Sequence, residues 1–301
     1  MKYKDWLNEW LKLYVKPATK IRTYKKYQRQ IEIHILLALG EYELHELTAT
    51  VLQRFTVNLS EKGLSANTVN GIISVLKFSL KRAVLLGVTE KEFTAAIVRP
   101  KQREKQVDCL SKEEQRKIEQ YIFEKKKNNL FGVVLCLYTG LRIGELLALS
   151  WKDIDFEKGI LTVSKTCRDG NINGKHIKIS DTPKTENSRR QIPLSKTILK
   201  MLKEMKKKST CGFLIADGEK PVFVRTYQRM FELLLIKLKL PHKGFHSLRH
   251  MFATRALECG MDVKTLSEIL GHKNPTVTLN RYAHSLLEHK AAMMNRLGKL
   301  L

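Results

Sequence analysis

The nine residues "LFGVVLCLY" at positions 130–138 carry no charge. At helical spacing their apolar side chains point in every direction, so no face of such a helix can be left to water. The helix has to lie at the centre of a domain, with other elements closing over it on all sides. The next segment constrains the chain further. In "TGLRIGELLALSW", Gly140 ends the buried helix, Arg142 starts a second, short one, and Glu145 comes three residues later. An arginine this close to an apolar core needs an anion or a carboxylate beside it. A structural Arg142–Glu145 pair and an arginine held ready for a ligand both meet that demand.

The rest of the chain divides by period around this centre. Over residues 1–95, Trp6, Trp10 and Tyr14 recur every four positions. Tyr24, Tyr27, Ile31 and Ile35 form a second stripe, and Val51, Leu52, Phe55 and Leu59 a third. In "SANTVNGIISVLKFSLKRAVLLG", Ser65 is placed to cap a helix carrying Val69, Ile72, Leu76, Leu80 and Ala83, and Gly87 to end it. Together these predict a small four-helix domain. "AAIVRPKQREKQVDCL" then breaks the pattern with a proline and many charges, which predicts an extended basic linker over 96–109.

A second domain is expected over 110–284. It opens with Ser111 and Glu114 spaced as a capping box, ahead of a helix through about Lys127. Between 156 and 194 the period drops to two. There "GILTVSKT", "KHIKISDT" and "RRQIPL", separated by Gly, Asn and Asp, predict a three-stranded antiparallel sheet. Helices resume beyond it, with Thr276 placed to cap a short one. The last helix, over 285–301, carries Leu286, Leu287, Met293, Met294, Leu297 and Leu300 on one stripe, suited to its own domain or to a neighbouring protomer. The fold class expected is mainly α with a small antiparallel β-sheet, in two domains.

Composition matters chiefly through sign. Lys and Arg number 55 against 30 acidic residues, a net charge of +25. The excess is +8 over residues 1–108 and +17 over 109–301, so it is not one basic tail. A field of this size points to a polyanion, nucleic acid first. A solubility surface or ribosome association is the plainer alternative. Lys25, Lys26, Arg29, Lys77, Lys81 and Arg82 occupy polar helix faces of the first domain, and Arg99 and Lys101 the linker. There they either follow a phosphate backbone or are simply solvated. The five cysteines are scattered and form no CxxC pair, which argues against a disulfide framework or a zinc ribbon and fits a reduced, cytoplasmic setting. No apolar run is long enough to span a membrane. "MKYKDWLNEW" opens directly as an amphipathic helix without a signal-peptide core.

Three further polar motifs lie in the second domain. "DTPKTENSRRQIPL" places Lys184 near the tip of an expected hairpin, with Asn187-Ser188 as its turn; any surface lysine would look the same. "HSLRHMFATRALECG" at 246–260 puts His246, Arg249 and His250 at i, i+3 and i+4, on one helix face. Two histidines so spaced can hold zinc, whereas an arginine between them suits a phosphate. Ser247 stands where a hydrolytic zinc helix carries its glutamate. "ILGHKNPTVTLNRYAH" ends a helix at Gly271, follows it with His272 and carries Tyr282 on the next; a lone tyrosine reads equally well as packing.

Taken in order, Arg142, Lys184, His246, Arg249, His272 and Tyr282 match the signature of the tyrosine recombinases, the phage-integrase-like family: Arg, Lys, His-x-x-Arg, His or Trp, then Tyr. The chain resembles that family over nearly its whole length, with "GLSANTVN" opening the long helix of a core-binding domain. The resemblance implies that Tyr282 is the nucleophile and that Arg142 and Arg249 hold the non-bridging phosphate oxygens. It implies that Lys184 protonates the leaving 5′-oxygen, that His246 assists proton transfer, that His272 hydrogen-bonds the phosphate and that Glu145 supports the site. His250 is left to packing. By the same resemblance the product is a 3′-phosphotyrosyl enzyme, strand exchange runs through a Holliday junction, and no metal or other cofactor takes part. Double-stranded DNA and a homotetramer assembled on it are the implied partners, with room for a directionality factor and nucleoid association. Many integrases of phages and conjugative transposons carry an extra N-terminal arm-binding domain; the sequence begins at or just before the core-binding domain, so that module is expected to be either absent or removed. A type IB topoisomerase and a non-catalytic sequence-specific DNA-binding protein are the alternatives.

Overall fold

The computed structural model describes residues 1–101, 110–125, 127–172, 175–181, 189–217, 220–272, 274–276, 294–295 and 298. The chain forms two compact units, Met1–Glu104 and Lys105–Leu301.

In the first unit, α1 (Tyr3–Trp10) runs through a single π-type turn (Leu11–Val15) into α2 (Lys16–Ala18). The next rod repeats the device: α3 (Ile21–Gln30), a π-type turn (Ile31–Ile35), then α4 (Leu36–Leu39). Two further helices, α5 (Ala49–Glu61) and α6 (Ala66–Leu85), complete the bundle. The π turns have a cause in the sequence. Residues four apart drift by about 40° per step on an α-helix. Trp6–Trp10–Tyr14 and Tyr27–Ile31–Ile35 keep that spacing, and one wider i→i+5 turn in each rod takes up the drift. The stripes thus stay on the inner face. Trp6, Trp10, Ile31, Ile35, Leu52, Phe55 and Leu59 are buried with the α6 stripe, and Tyr14, Tyr24, Tyr27 and Val51 pack at its edge. The polar tips of the buried aromatics are satisfied: Tyr3 Oη shares a 2.6 Å hydrogen bond with Ser79 Oγ, and Trp6 Nε1 donates to the Ser79 carbonyl at 3.1 Å. Ser65 caps α6 by accepting from the Thr68 amide, and Gly87 ends it at φ +70°.

The first residues of the expected linker make contacts within the first unit. Ile97 is buried in this core, the Val98 amide donates to the Gln53 side chain, and the Asn70 side chain donates to the Pro100 carbonyl. Residues 96–101 are therefore held by the first unit through backbone hydrogen bonds that a charge count does not reveal, and 102–109 lie outside the described residues.

The second unit contains α7 (Lys112–Glu124), α8 (Phe131–Thr139), α9 (Ile143–Leu146), β1 (Ile154–Asp155), β2 (Ile160–Val163), β3 (Thr166–Ile172), β4 (Lys175–Asp181) and β5 (Arg190–Pro193). It continues through α10 (Lys196–Lys207), the short pair β6 (Ala216–Asp217) and β7 (Lys220–Pro221), α11 (Val224–Lys237), α12 (Ser247–Glu258) and α13 (Val263–Leu270). The capping box forms: the Ser111 amide donates to Glu114 at 2.7 Å, and the Glu114 amide donates back to Ser111 Oγ at 3.2 Å. Helix α8 is the buried centre, with Tyr138 alone of its apolar side chains exposed.

The sheet differs from the expected one. A three-stranded antiparallel sheet exists, in the order β1-β2-β5, with Leu161 paired to Ile154 on one side and Ile192 on the other. "KHIKISDT" is not its third strand. Strand β4 pairs with β3 in a separate hairpin, from Thr166↔Asp181 to Ile172↔Lys175. Asp169-Gly170-Asn171 looks like a turn in sequence, yet it lies within β3. Gly170 leaves room for Ile179, whose Cδ1 would lie 2.4 Å from a Cβ there. Asp169 caps α11 from a distance, accepting from the Val224 and Arg225 amides at 2.8 Å each. Near the other end of the unit, Asn274 rather than Thr276 is the capping residue, accepting from the Thr276 amide at 2.9 Å. Apart from Met294, the stripe expected over 285–301 lies outside the described residues, among which no helix is long and apolar enough to cross a membrane.

Helices α8 and α13 both end on a left-handed glycine, Gly140 at φ +64° and Gly271 at φ +66°. A Cβ on Gly140 would lie 2.5 Å from Phe252 and 2.7 Å from Leu270, so this turn sits directly against the end of α13. Gly260 has a similar φ of +89° but nothing within 4 Å of a Cβ. Gly260→Ala is expected to cost about 1 kcal/mol from backbone strain. Gly140→Ala adds overpacking of roughly 1–3 kcal/mol, and urea unfolding of the two variants measures the difference.

Candidate functional site

The site is built where α8 and α13 end. Arg142 follows the Gly140 turn as the N-cap of α9, and Glu145 occupies the first turn of that helix. The Glu145 carboxylate is buried and surrounded by donors. It accepts from the Arg142 amide at 2.9 Å and Arg142 Nη1 at 2.7 Å. It also accepts a fork from Arg190, Nη1 at 3.1 Å and Nη2 at 2.8 Å. Burial alone raises its pKa, but the hydrogen bond and charge of Arg190, then the charge of Arg142, outweigh it and hold the carboxyl at about 2. Burial and the Glu145 charge push the neighbouring Cys136 thiol up, which keeps that sulfur protonated.

Arg249, on α12, is 2% exposed. Its Nη1 donates to the Gly140 carbonyl at 2.8 Å and its Nη2 to the Leu270 carbonyl at 2.6 Å, with His272 Nε2 at 2.9 Å. Both carbonyls lie at helix C-termini, where the partial charge is negative and a cation is favoured. Three guanidiniums thus hold successive carbonyls of one turn: Arg190 Nε donates to Ile269, Arg249 to Leu270, and Arg142 Nη2 reaches Gly271 at 3.5 Å. Of the three, Arg142 is the most open, its side chain 37% exposed. Three cations and one carboxylate, among the described residues, leave a local excess of positive charge suited to a tetrahedral anion.

Of the sequence-predicted residues, Arg142, Glu145, Arg249 and His272 are brought together at this turn. His246 is the exposed N-cap of α12 rather than a residue within it. His250, partly buried, stands edge-on to it with ring centroids 4.7 Å apart. No third His, Cys, Asp or Glu completes a metal-binding group with that pair among the described residues. Lys184 and Tyr282 lie outside the described residues. In the first unit Lys25, Lys26, Arg29, Lys81, Arg82, Arg99 and Lys101 are exposed and Lys77 is half-buried. Arg82 lies over the Tyr14 ring and Tyr27 stacks on the exposed Phe78, so α3 and α6 set their cations beside an aromatic strip.

Arg190 is the residue that motif reading missed. Its signal is parity: in β5, Arg190 and Ile192 point inward while Gln191 and Pro193 point out, so the arginine occupies a core position. The depressed Glu145 pKa also sets an acid limit. The charged form stabilises the fold fully above the ordinary carboxylate value of 4.5, and that contribution is lost as pH falls through about 2. Glu145→Gln removes this component, so wild type and variant stabilities, followed by denaturant unfolding, are expected to converge as pH falls from 4.5 toward 2.

Known proteins identify the family. Residues 103–289 match the Phage integrase family model, and residues 2–60 match the model of the phage integrase N-terminal SAM-like domain. A tyrosine recombinase XerC-like protein of Caldanaerobacter subterraneus subsp. tengcongensis is 29% identical over 98% of this chain and 81% of its own length. The transposase from transposon Tn916 of Enterococcus faecalis is 30% identical over 87% of this chain and 69% of its own. The solved structure of the Tn1549 transposon integrase in complex with transposon right end DNA superposes with a TM-score of 0.83 at 25% identity, covering 99% of this chain and 100% of that one. With one family model matching most of the second unit and another matching part of the first, the chain belongs to the phage integrase family and is a tyrosine-type site-specific recombinase.

Proposed function

We propose that this recombinase cuts and rejoins double-stranded DNA for a mobile element, through Tyr282 and a 3′-phosphotyrosyl intermediate. The observation that supports this best is the convergence of Arg142 and Arg249 on adjacent carbonyls of the turn that leads into His272. Transesterification at a phosphodiester develops negative charge on the non-bridging oxygens, and forked donors held in advance stabilise it without reorganising. Arg142 offers the more open guanidinium, and Arg249 supplies a fixed cation beside His272.

In this reaction the Tyr282 oxygen attacks phosphorus. The new P–O bond forms as the P–O5′ bond breaks. A free phenol has a pKa of about 10, so its proton has to be taken up at the nucleophile side, by way of His246. Lys184 gives a proton to the departing 5′-oxygen, and His272 hydrogen-bonds the phosphate. Reversal with a different 5′-hydroxyl rejoins the strands, and conservation of the bond energy removes any need for ATP. The roles of Lys184 and Tyr282 rest on motif order and family membership. Lys25, Lys26, Arg29, Lys77, Lys81, Arg82, Arg99 and Lys101 are proposed to meet the phosphate backbone, which is recognised by charge rather than sequence. Four protomers on two duplexes, passing through a Holliday junction in the cytoplasm, complete the proposal; a directionality factor would act on that assembly.

Duplexes selected by the protein from a randomised pool, and nicked near the crossover, provide the test. Wild type is expected to form an adduct that survives denaturing electrophoresis, and Tyr282→Phe to form none while binding the same duplex. A wild-type protein that yields no adduct on any selected duplex refutes the proposal. Arg142→Lys keeps the charge but loses the fork, and is expected to slow adduct formation by roughly 100-fold. His250→Ala should slow it less than Arg249→Lys does; equal losses at unchanged melting temperature would move His250 into the reacting group.

A further inference from the structure

Arg190 lies outside the family signature, yet its guanidinium bonds both the buried carboxylate of the site and the turn that leads into His272. We propose that Arg190 is a positioning residue for strand cleavage: it holds the buried Glu145 carboxylate so that Arg142 keeps its charge for the scissile phosphate, and it ties this pair to the turn carrying His272. The inference rests on the reading that Arg142 engages a phosphate.

Charge allocation is the first half of the role. Glu145 and Arg190 have side chains 6% exposed each, and their fork places one nitrogen on each carboxylate oxygen. That pair is neutral and closed to water. Arg142 adds a contact to Oε1 at 2.7 Å but remains 37% exposed, so it is the surplus cation of the trio and the one turned outward. Without Arg190 the carboxylate would be left, among the described residues, with Arg142 as its single cation. A buried carboxylate left short of partners draws in whatever charge it can reach, and an incoming phosphate would meet a neutral pair. The second half of the role is geometric. Arg190 Nε donates to the Ile269 carbonyl. The side chain passes where a Cβ on Gly271 would stand, 3.1 Å from Cδ and 3.2 Å from Nη1. Gly271 therefore serves twice, by adopting φ +66° and by leaving space for the guanidinium. A lysine could not span both carboxylate oxygens and the carbonyl from one ammonium.

The variants are Arg190→Lys, Arg190→Gln, and Arg190→Gln combined with Glu145→Gln. Two readouts are taken on the full chain: adduct formation on the selected nicked duplex, and titration with inorganic phosphate followed by the side-chain NMR signal of Arg142, identified by its loss in Arg142→Lys. Arg190→Gln is expected to slow adduct formation roughly 100-fold and to weaken phosphate binding at Arg142 at least about tenfold, with duplex affinity changed less than about threefold. The double variant removes the orphaned charge and should bring phosphate binding back to within about threefold of wild type, a recovery that a purely structural role does not produce. Arg190→Gln that cleaves and binds phosphate within about threefold of wild type overturns the proposal, as does a double variant no better than the single one. If Arg190→Gln does not fold, Arg190→Lys decides: cleavage slowed at least about tenfold supports the role, and unchanged cleavage overturns it. Absence of adduct in wild type refutes the recombinase chemistry alone, because the phosphate titration judges Arg190 without strand cleavage.

Discussion

A guanidinium at 2% exposure is a severe demand on a small domain. Burying a charge costs several kcal/mol unless its surroundings replace water. Arg249 meets that demand with the C-terminal carbonyls of α8 and α13. Their orientation depends on left-handed glycines that stop each helix within a residue of the contact. Much of the second unit's architecture is a consequence. The apolar α8 must be enclosed, α12 must lie beside it to deliver Arg249, and α13 must end beside α8 for both carbonyls to be within reach. The arginine is therefore as much a structural member of the core as a member of the site.

The same economy governs the other charges. Glu145 is ionised in the interior because two guanidiniums and a backbone amide reach it. The cations of the site are held by carbonyls and by a carboxylate that is itself pinned. Such a set is ordered before any ligand arrives, which is what electrostatic stabilisation of a transition state requires. The arrangement also separates duties. Arg249 and Arg190 spend their donors on protein, while Arg142 keeps an open side.

The first unit solves a different problem. Its aromatic and aliphatic stripes keep a spacing of four, which an unbroken α-helix would rotate off the core. Single π turns in two rods restore the face. The outward surfaces of α3 and α6 are then left to cations and to the exposed ring of Phe78. A positive face of this kind suits the phosphate backbone of a nucleic acid.

Much of this was legible from residue order. Ser65, Ser111 and Glu114 announced their helices because a cap is a local hydrogen bond. The all-round apolar run announced the buried α8 because burial is written in every side chain of the stretch. Arg142, Arg249 and His272 were recognisable as a set because their types and spacings match a family's chemistry, although not their mutual contacts. Other features were hidden because they join distant parts of the chain. Asp169-Gly170-Asn171 has the composition of a turn and becomes a strand because its partner is β4 and its carboxylate caps α11. Ile97 sits in a charged segment and becomes core because a groove of the helical unit accepts it. Arg190 belongs to no motif, and its role takes shape only where Glu145, Ile269 and the missing side chain of Gly271 close around it. Local sequence determined the helices, their caps and the chemical types available to the site. The tertiary structure alone decided which cation is buried, which carboxylate neutralises it and which guanidinium stays open, because those depend on desolvation and on distances between residues far apart in the chain.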